Sequence, residues 1–196
     1  MTTGFASRTT TRPSSRDSRS LEPAEWTAAG VPLLANPREV VKDLLSRHLP
    51  TPVTAVVAVF APEGRLVASA SFSGSTGLVD GWEHRNAILA HLRRVLPHDL
   101  RRRTPARTAV LLLCRDGPPG WTEQDGAWMW GLRDACGLHG LRCGAYVTLA
   151  RDGWQVLGEN RSGRTPNSGH LTERPGGAAA LRPQGAPEAL RRTAAR

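Results

Sequence analysis

Two side chains near the middle of the sequence, Cys114 and Asp125, are candidates for metal binding. Cys114 ends a short apolar run that starts at residue 108, and Asp125 follows it by eleven positions, just beyond Thr122. Thiolates and carboxylates both coordinate zinc, and a zinc ion with one open position activates water for hydrolysis. A cysteine that ends a buried strand is also an ordinary small core residue. An acid in the first turn of a helix is favoured by the helix dipole. Both interpretations of each residue stay open.

Histidines and the remaining cysteines offer further candidate sites. Cys136, His139 and Cys143 lie within eight residues, but their spacing matches no standard zinc site. His84 falls near a predicted helix start and is a candidate functional residue. His91 falls on the apolar side of the same helix, so we expect it to be a core histidine.

Trp121, Thr122 and Trp130 are candidate binding residues around the loop that follows the apolar run. Two partly exposed tryptophans could form an apolar contact surface for a protein partner. The alternative is that both rings only cover the loop.

Arginines are concentrated between residues 93 and 107, where a single acid opposes six bases. Such a cluster could contact phosphates, so nucleic acid is a candidate partner. Few aromatic residues are interleaved, so stacking on bases is not predicted. A solvated loop is the alternative, because Lys42 is the only lysine and the arginine bias is typical of a GC-rich genome, as in actinobacteria. The six bases are Arg93, Arg94, Arg101, Arg102, Arg103 and Arg107.

The chain of 196 residues has a net charge of +9, and its 35 Gly and Pro residues dilute a modest apolar content of 39%. Residues 1–30 and 159–196 are expected to be disordered tails, because they have too little apolar surface to offset the entropy of ordering. The folded domain is expected at 31–158. The sequence has no membrane-spanning run, no secretory leader and no disulfide framework, so we expect a cytoplasmic protein without membrane contact.

Helix and strand patterns alternate through the folded part. The apolar stripe after Asn36 predicts a helix that Pro50 ends, and Thr122 with Asp125 predicts a capping pair at the start of a later helix. The run 108–114 is continuous and apolar, as in a buried central strand. These patterns predict a single α/β domain with one mixed sheet, in the order α-β-β-α-β-α-β-β. The predicted strands are 53–60, 65–72, 108–114, 141–149 and 154–157, and the helix between the second and third strands is predicted at 83–96.

From Val53 to Leu157, this arrangement resembles the RadC-like branch of the JAB/MPN domains, also called JAMM domains. The family has a hairpin, a loop, a helix, a buried strand that leads into the site loop, a second helix, and a final strand and hairpin. The segments that carry the resemblance are Gly74-Ser75-Thr76, Trp82–Leu89, Thr122-Glu123-Gln124-Asp125 and Leu138-His139-Gly140-Leu141. The resemblance implies a fold of JAB/MPN type.

The zinc motif of that family is incomplete in this sequence. Active members carry His-x-His, seven residues, Ser, two residues and Asp; the two His and the Asp bind zinc, and an upstream Glu is the general base. Asp125 and Thr122 match the Asp and Ser positions, whereas Leu112 and Cys114 stand at the His positions. The strand 53–60 contains no acid. The resemblance therefore implies a JAB-type domain that lacks its zinc ligands.

We expect a catalytically inactive binding or scaffolding module that binds a protein partner and needs no cofactor. One alternative is a zinc-dependent metallohydrolase, similar to a peptidase or isopeptidase, that uses substitute ligands such as Cys114 and Asp125. Another is a nucleic-acid-binding protein linked to DNA repair through the arginines of residues 93–107, since RadC-like proteins have a historical association with repair.

Overall fold

The computed structural model describes residues 19–30, 34–74, 80–97 and 105–166. Within them the chain forms one mixed sheet with helices on both faces, as the apolar patterns predict. The elements are α1 (Pro23–Ala28), α2 (Pro37–His48), β1 (Thr54–Phe60), β2 (Leu66–Ser73), α3 (Gly81–Val95), β3 (Thr108–Cys114), α4 (Glu123–His139), β4 (Arg142–Leu149), β5 (Trp154–Val156) and β6 (Ser162–Gly163).

The strand order is β2-β1-β3-β4-β5-β6. Only β3 and β4 run parallel, and every other neighbouring pair is antiparallel. The parallel pair follows from α4, because two adjacent strands that point the same way need a crossover connection. The predicted order of the eight central elements is confirmed, and α1 and β6 are additions to it.

Alternate residues of the central strands face opposite sides of the sheet. On β3, Leu111 and Leu113 pack in an apolar cluster that also contains residues of α3 and α4. Val110, Leu112 and Cys114 pack in a second cluster with residues of α2 on the other face. The continuous apolar sequence of β3 is therefore explained by burial on both faces.

The helix starts follow the predicted capping residues. Asn36 accepts a hydrogen bond from the Glu39 N–H at 3.4 Å, and Pro37 occupies the first position of α2. Asp125 accepts a hydrogen bond from the Thr122 N–H at the start of α4. These caps satisfy N–H groups that have no partner inside a helix.

The structure over residues 19–30 differs from the disordered N-terminal tail that the sequence predicts. This segment contains α1, and Trp26 is only 2% exposed. The Leu21 N–H donates to the Gly126 carbonyl at 3.0 Å, and the Thr27 hydroxyl donates to the Gly158 carbonyl at 3.0 Å. The boundary predicted at residue 30 is wrong because two isolated apolar side chains, without helical periodicity, are enough to dock this short segment.

The C-terminal boundary also differs, since residues 159–166 are part of the described structure. β6 pairs with β5, and the buried Thr165 hydroxyl donates to the Ala150 carbonyl at 2.9 Å. The rest of the two predicted tails, residues 1–18 and 167–196, lies outside the described residues. No helix in the described part is long and apolar enough to cross a membrane.

Candidate functional site

A cleft of about 430 Å³ lies where β3 ends, α4 begins and β1 starts. Its position follows from the topology, because the loop between β3 and α4 must leave the sheet at the carboxyl end of β3. Of the two sequence candidates, Cys114 lines the cleft, whereas Asp125 is buried behind Thr122 and Arg115, which line it. Its lining residues are Val53, Leu113, Cys114, Arg115, Asp116, Pro118, Thr122, Glu123, Gln124 and Trp128.

The Asp125 carboxylate is completely buried and accepts four hydrogen bonds. Oδ2 accepts from the Thr122 N–H at 2.7 Å, from the Thr122 hydroxyl at 2.8 Å and from Arg115 Nη1 at 2.6 Å. Oδ1 accepts from the Tyr146 hydroxyl at 2.7 Å. A buried carboxylate is tolerated only when it is paired and hydrogen-bonded, so these four donors explain how Asp125 remains inside the protein.

Arg115 binds the backbone of the loop between β3 and α4 as well as the Asp125 carboxylate. Its Nη1 also donates to the Thr122 hydroxyl at 2.8 Å, while its Nη2 donates to the carbonyls of Pro118, at 3.2 Å, and Gly120. The Thr148 hydroxyl donates to the Pro119 carbonyl and ties the same loop to β4. Because a guanidinium has five N–H donors in a fixed plane, one side chain can hold both the acid and the loop backbone.

Tyr146 completes this network from β4. Burial, together with the negative charge of Asp125, raises the pKa of Tyr146 well above its ordinary value. The phenol therefore stays protonated and donates to Asp125. Neither Tyr146 nor Arg115 was predicted as a site residue. The available signals were weak: the only tyrosine of the chain lies in an otherwise apolar strand, and an arginine directly follows the buried strand β3.

Cys114 is buried at the end of β3, and burial raises the pKa of its thiol to about 12. The thiolate is the form that attacks substrates and binds metals, so this cysteine has the character of a core thiol. Its side chain packs in the apolar cluster on the α2 face. The carboxylate of Asp125, in contrast, binds Tyr146, whose ring packs in the cluster on the α3 and α4 face.

Val53 lies at the mouth of the cleft with a strained backbone. Its φ angle is +67°, a region that β-branched residues rarely adopt. Two hydrogen bonds hold it there: its N–H donates to the Cys114 carbonyl at 2.7 Å, and its carbonyl accepts from the Gly74 N–H at 2.6 Å. Strained residues of this kind concentrate at functional sites. The strain at Val53 is therefore a separate observation that favours this cleft as a functional site.

His84 lies behind the cleft. It is 2% exposed and stacks on Trp128 with the ring centroids 3.7 Å apart. Burial lowers the pKa of His84 to about 4, so the ring is neutral at physiological pH. Its Nε2 atom has no hydrogen-bond partner in the described part of the chain. His91 stacks on Phe72 at the edge of the same cluster.

The two candidate tryptophans lie on different surfaces. Trp121, 37% exposed, belongs to the loop before α4. Trp130 packs beside Trp82, with 6.1 Å between the ring centroids. It lines a separate cleft together with Leu21 and Leu138. The two rings, which could form one apolar contact surface according to the sequence, therefore lie on two separate surfaces.

The arginine cluster is described only in part. Arg93 and Arg94 are exposed in the last turn of α3, and Arg107 is half-buried just before β3. Residues 101–103 lie outside the described residues. In the ranges that the structure describes, no three side chains of His, Cys, Asp or Glu lie close enough together to hold a metal ion.

Comparison with known proteins identifies no family for this chain. No protein-family model matches the sequence, and no curated protein is significantly similar to it.

Proposed function

We propose that this chain is a RadC-like JAB-type domain whose catalytic centre has become a structural network, and that it acts as a non-catalytic binding module. The observation that carries the proposal is the fourfold bonding of the Asp125 carboxylate. Asp125 stands where the resemblance puts a zinc-binding acid, and the Arg115 guanidinium lies 2.6 Å from its Oδ2 atom. A cation that is part of the chain thus compensates the charge that a metal ion would compensate in an active relative.

The two positions of the missing histidines support the non-catalytic part of this proposal. Leu112 has no metal-binding atom, and Cys114 holds a thiol whose raised pKa opposes metal binding. Both side chains pack toward α2, on the opposite face of the sheet from Tyr146, the partner of Asp125. A zinc-dependent hydrolase with Cys114 and Asp125 as ligands would need these groups to converge on one point.

The chemistry of the cleft favours a peptide ligand with a basic side chain. Val53, Leu113 and Trp128 form the apolar part of its lining, with Leu113 and Trp128 only 5% and 1% exposed, while Asp116 and Glu123 are exposed acids at its edge. The positive charge of Arg115 is already paired with Asp125, so the acids dominate the local field. A cleft that combines apolar lining with polar and charged groups can serve as a ligand site.

Peptide selection tests this proposal. A library of random peptides is displayed against the immobilised full-length chain, and the Kd of enriched peptides is measured by fluorescence anisotropy. We expect peptides with Arg or Lys beside an apolar residue to be enriched. Their affinity should fall roughly tenfold in the double variant Asp116→Asn with Glu123→Gln, since two rim charges are removed.

The matched control is Asp152→Asn, which removes an exposed acid from the turn between β4 and β5. This variant should bind the same peptides with unchanged affinity. Enrichment of acidic peptides would refute the assignment of the cleft as the binding site. An equal loss of peptide affinity in the cleft variant and in the control would refute it as well.

A further inference from the structure

Two cysteines, Cys136 and Cys143, meet where α4 turns into β4. The helix ends at His139, and Gly140 takes a left-handed conformation with φ of +79°. The Leu141 N–H then donates to the Cys136 carbonyl at 2.9 Å. The turn therefore folds the chain back beside Cys136. Cys143 follows Leu141 by two residues and lies on the same side of the strand as Leu141.

The two thiols are neighbours across this turn, and their surroundings differ. Both side chains pack with the apolar cluster on the α3 and α4 face, and Cys143 donates weakly to the Gly144 carbonyl, with 3.8 Å between sulfur and oxygen. Cys136 is only 1% exposed within the apolar cluster on the α3 and α4 face. Cys143 packs against that cluster but remains partly accessible to solvent. One thiol can thus meet a reagent from solution, while its neighbour is protected.

We propose that Cys136 and Cys143 form an oxidation site, in which a hydroperoxide oxidises Cys143 and Cys136 then closes an intramolecular disulfide. In the first step the Cys143 sulfur attacks the peroxide, the O–O bond breaks, and a sulfenic acid and one water (or alcohol) form. In the second step the Cys136 sulfur displaces the sulfenic oxygen as water, and the S–S bond forms. The two thiols lose two electrons and two protons, which reduce the peroxide.

The order of the two steps follows from the surroundings of the sulfurs. The interaction with the Cys143 side chain and burial raise the pKa of the Cys136 thiol well above its ordinary value. Reaction with peroxide requires thiolate character and access, which disfavours Cys136 as the first residue to react. Its position beside Cys143 at this turn makes it the resolving thiol. Cys114 packs on the opposite face of the sheet and serves as an internal control.

The test uses the full-length chain, treated with hydrogen peroxide, blocked with a maleimide under denaturing conditions and digested with trypsin without reduction. Cleavage after Arg142 separates the two cysteines, so the disulfide would link peptide 134–142 to peptide 143–151. We expect this linked pair, with a mass two hydrogens below the sum of its parts, and a single maleimide on Cys114. Reduction with dithiothreitol should restore three reactive thiols.

Variants separate the roles of the two sulfurs. With Cys136→Ala, Cys143 should accumulate as a sulfenic acid that dimedone traps. Cys114→Ser should leave formation of the linked pair unchanged. Oxygen addition at Cys143 of the unaltered chain with Cys136 still a free thiol, or linkage only between separate molecules, would overturn the proposal. The test is independent of the peptide-binding cleft, so either proposal can fail alone.

Discussion

The carboxylate of Asp125 determines the chemistry at the carboxyl end of β3. With all four of its hydrogen bonds made by Arg115, Thr122 and Tyr146, this group stabilises the loop between β3 and α4. Removal of one partner from a buried ion pair leaves an uncompensated charge, which is far more costly than the loss of an exposed pair.

The first prediction concerns this pair. Arg115→Met should lower the free energy of unfolding by about 3–5 kcal/mol, because it leaves the buried Asp125 charge without its cation. Chemical denaturation followed by tryptophan fluorescence measures the change. The matched control is Arg133→Met, an exposed arginine of α4, which should cost less than about 0.5 kcal/mol. Equal effects of the two substitutions would mean that the network contributes nothing to stability.

A second prediction concerns His84 and pH. Its pKa is about 4 in the folded protein and about 6.5 when unfolded, so the unfolded state takes up the proton first as pH falls. The contribution of neutral His84 is complete above pH 6.5 and is lost between pH 6.5 and 4, by up to about 3 kcal/mol. Below pH 4 both states are protonated and the loss stops.

Denaturation curves across that pH range measure this contribution. His84→Phe keeps the ring stacked on Trp128 but cannot titrate, so its stability should fall less steeply between pH 6.5 and 4 than that of the unaltered chain. His91→Phe, the control on the same helix, should retain the steeper slope. If the free energy of unfolding falls equally steeply with pH in His84→Phe and in the unaltered chain, His84 is accessible to protons in the folded state.

At the scale of elements, the entry into β1 carries local strain. Val53 holds a φ angle of +67° because its N–H and carbonyl groups bridge Cys114 and Gly74. Asparagine tolerates this left-handed conformation much better than a β-branched residue. We therefore expect Val53→Asn to raise the free energy of unfolding by about 1 kcal/mol, as part of the strain is relieved.

Val53→Thr is the control for this third prediction, because it keeps the branched β-carbon and should bring no gain in stability. If the strain serves ligand binding, Val53→Asn should also lower the affinity of the chain for the selected peptides. A free energy of unfolding for Val53→Asn no higher than that for Val53→Thr would contradict the assignment of backbone strain to this position.

The order of the central elements could be predicted because each has its own local pattern. The continuous apolar run of β3 and the capping pair of Thr122 and Asp125 are local signals, and both are confirmed. The partners of Asp125 are not local, since Tyr146 follows it by 21 residues on another strand. Spacing along the sequence could place Asp125 at the start of a helix, but it could not show which donors would surround it.

At the scale of the whole molecule, α1 extends the domain beyond the region with periodic patterns. Trp26 buries its ring in the cluster shared by α3 and α4, and its Cδ1 atom lies only 2.8 Å from the point that a Cβ atom would occupy at Gly158. A side chain at Gly158, which also has a φ of +81°, would collide with the ring. The close fit explains why one aromatic residue can hold the N-terminal segment.

The fourth prediction tests this docking. Trp26→Ala should lower the free energy of unfolding by about 3–5 kcal/mol, the usual cost of truncating a buried aromatic residue. Trp121→Ala, which removes an exposed tryptophan of the loop before α4, should change it by less than about 1 kcal/mol. Thermal unfolding measured by circular dichroism compares the two variants, and similar effects would argue against a docked α1.

In the proposed function, Arg115 rather than a metal ion compensates the charge of Asp125. The zinc content of freshly purified, tag-free protein, measured by elemental analysis, tests this role of Arg115, with Asp125→Ala analysed in parallel. We predict no stoichiometric zinc in either protein and no change of melting temperature when zinc or a chelator is added. One zinc per chain in the unaltered protein, lost in Asp125→Ala, would contradict this claim and would identify the cleft as a metal centre.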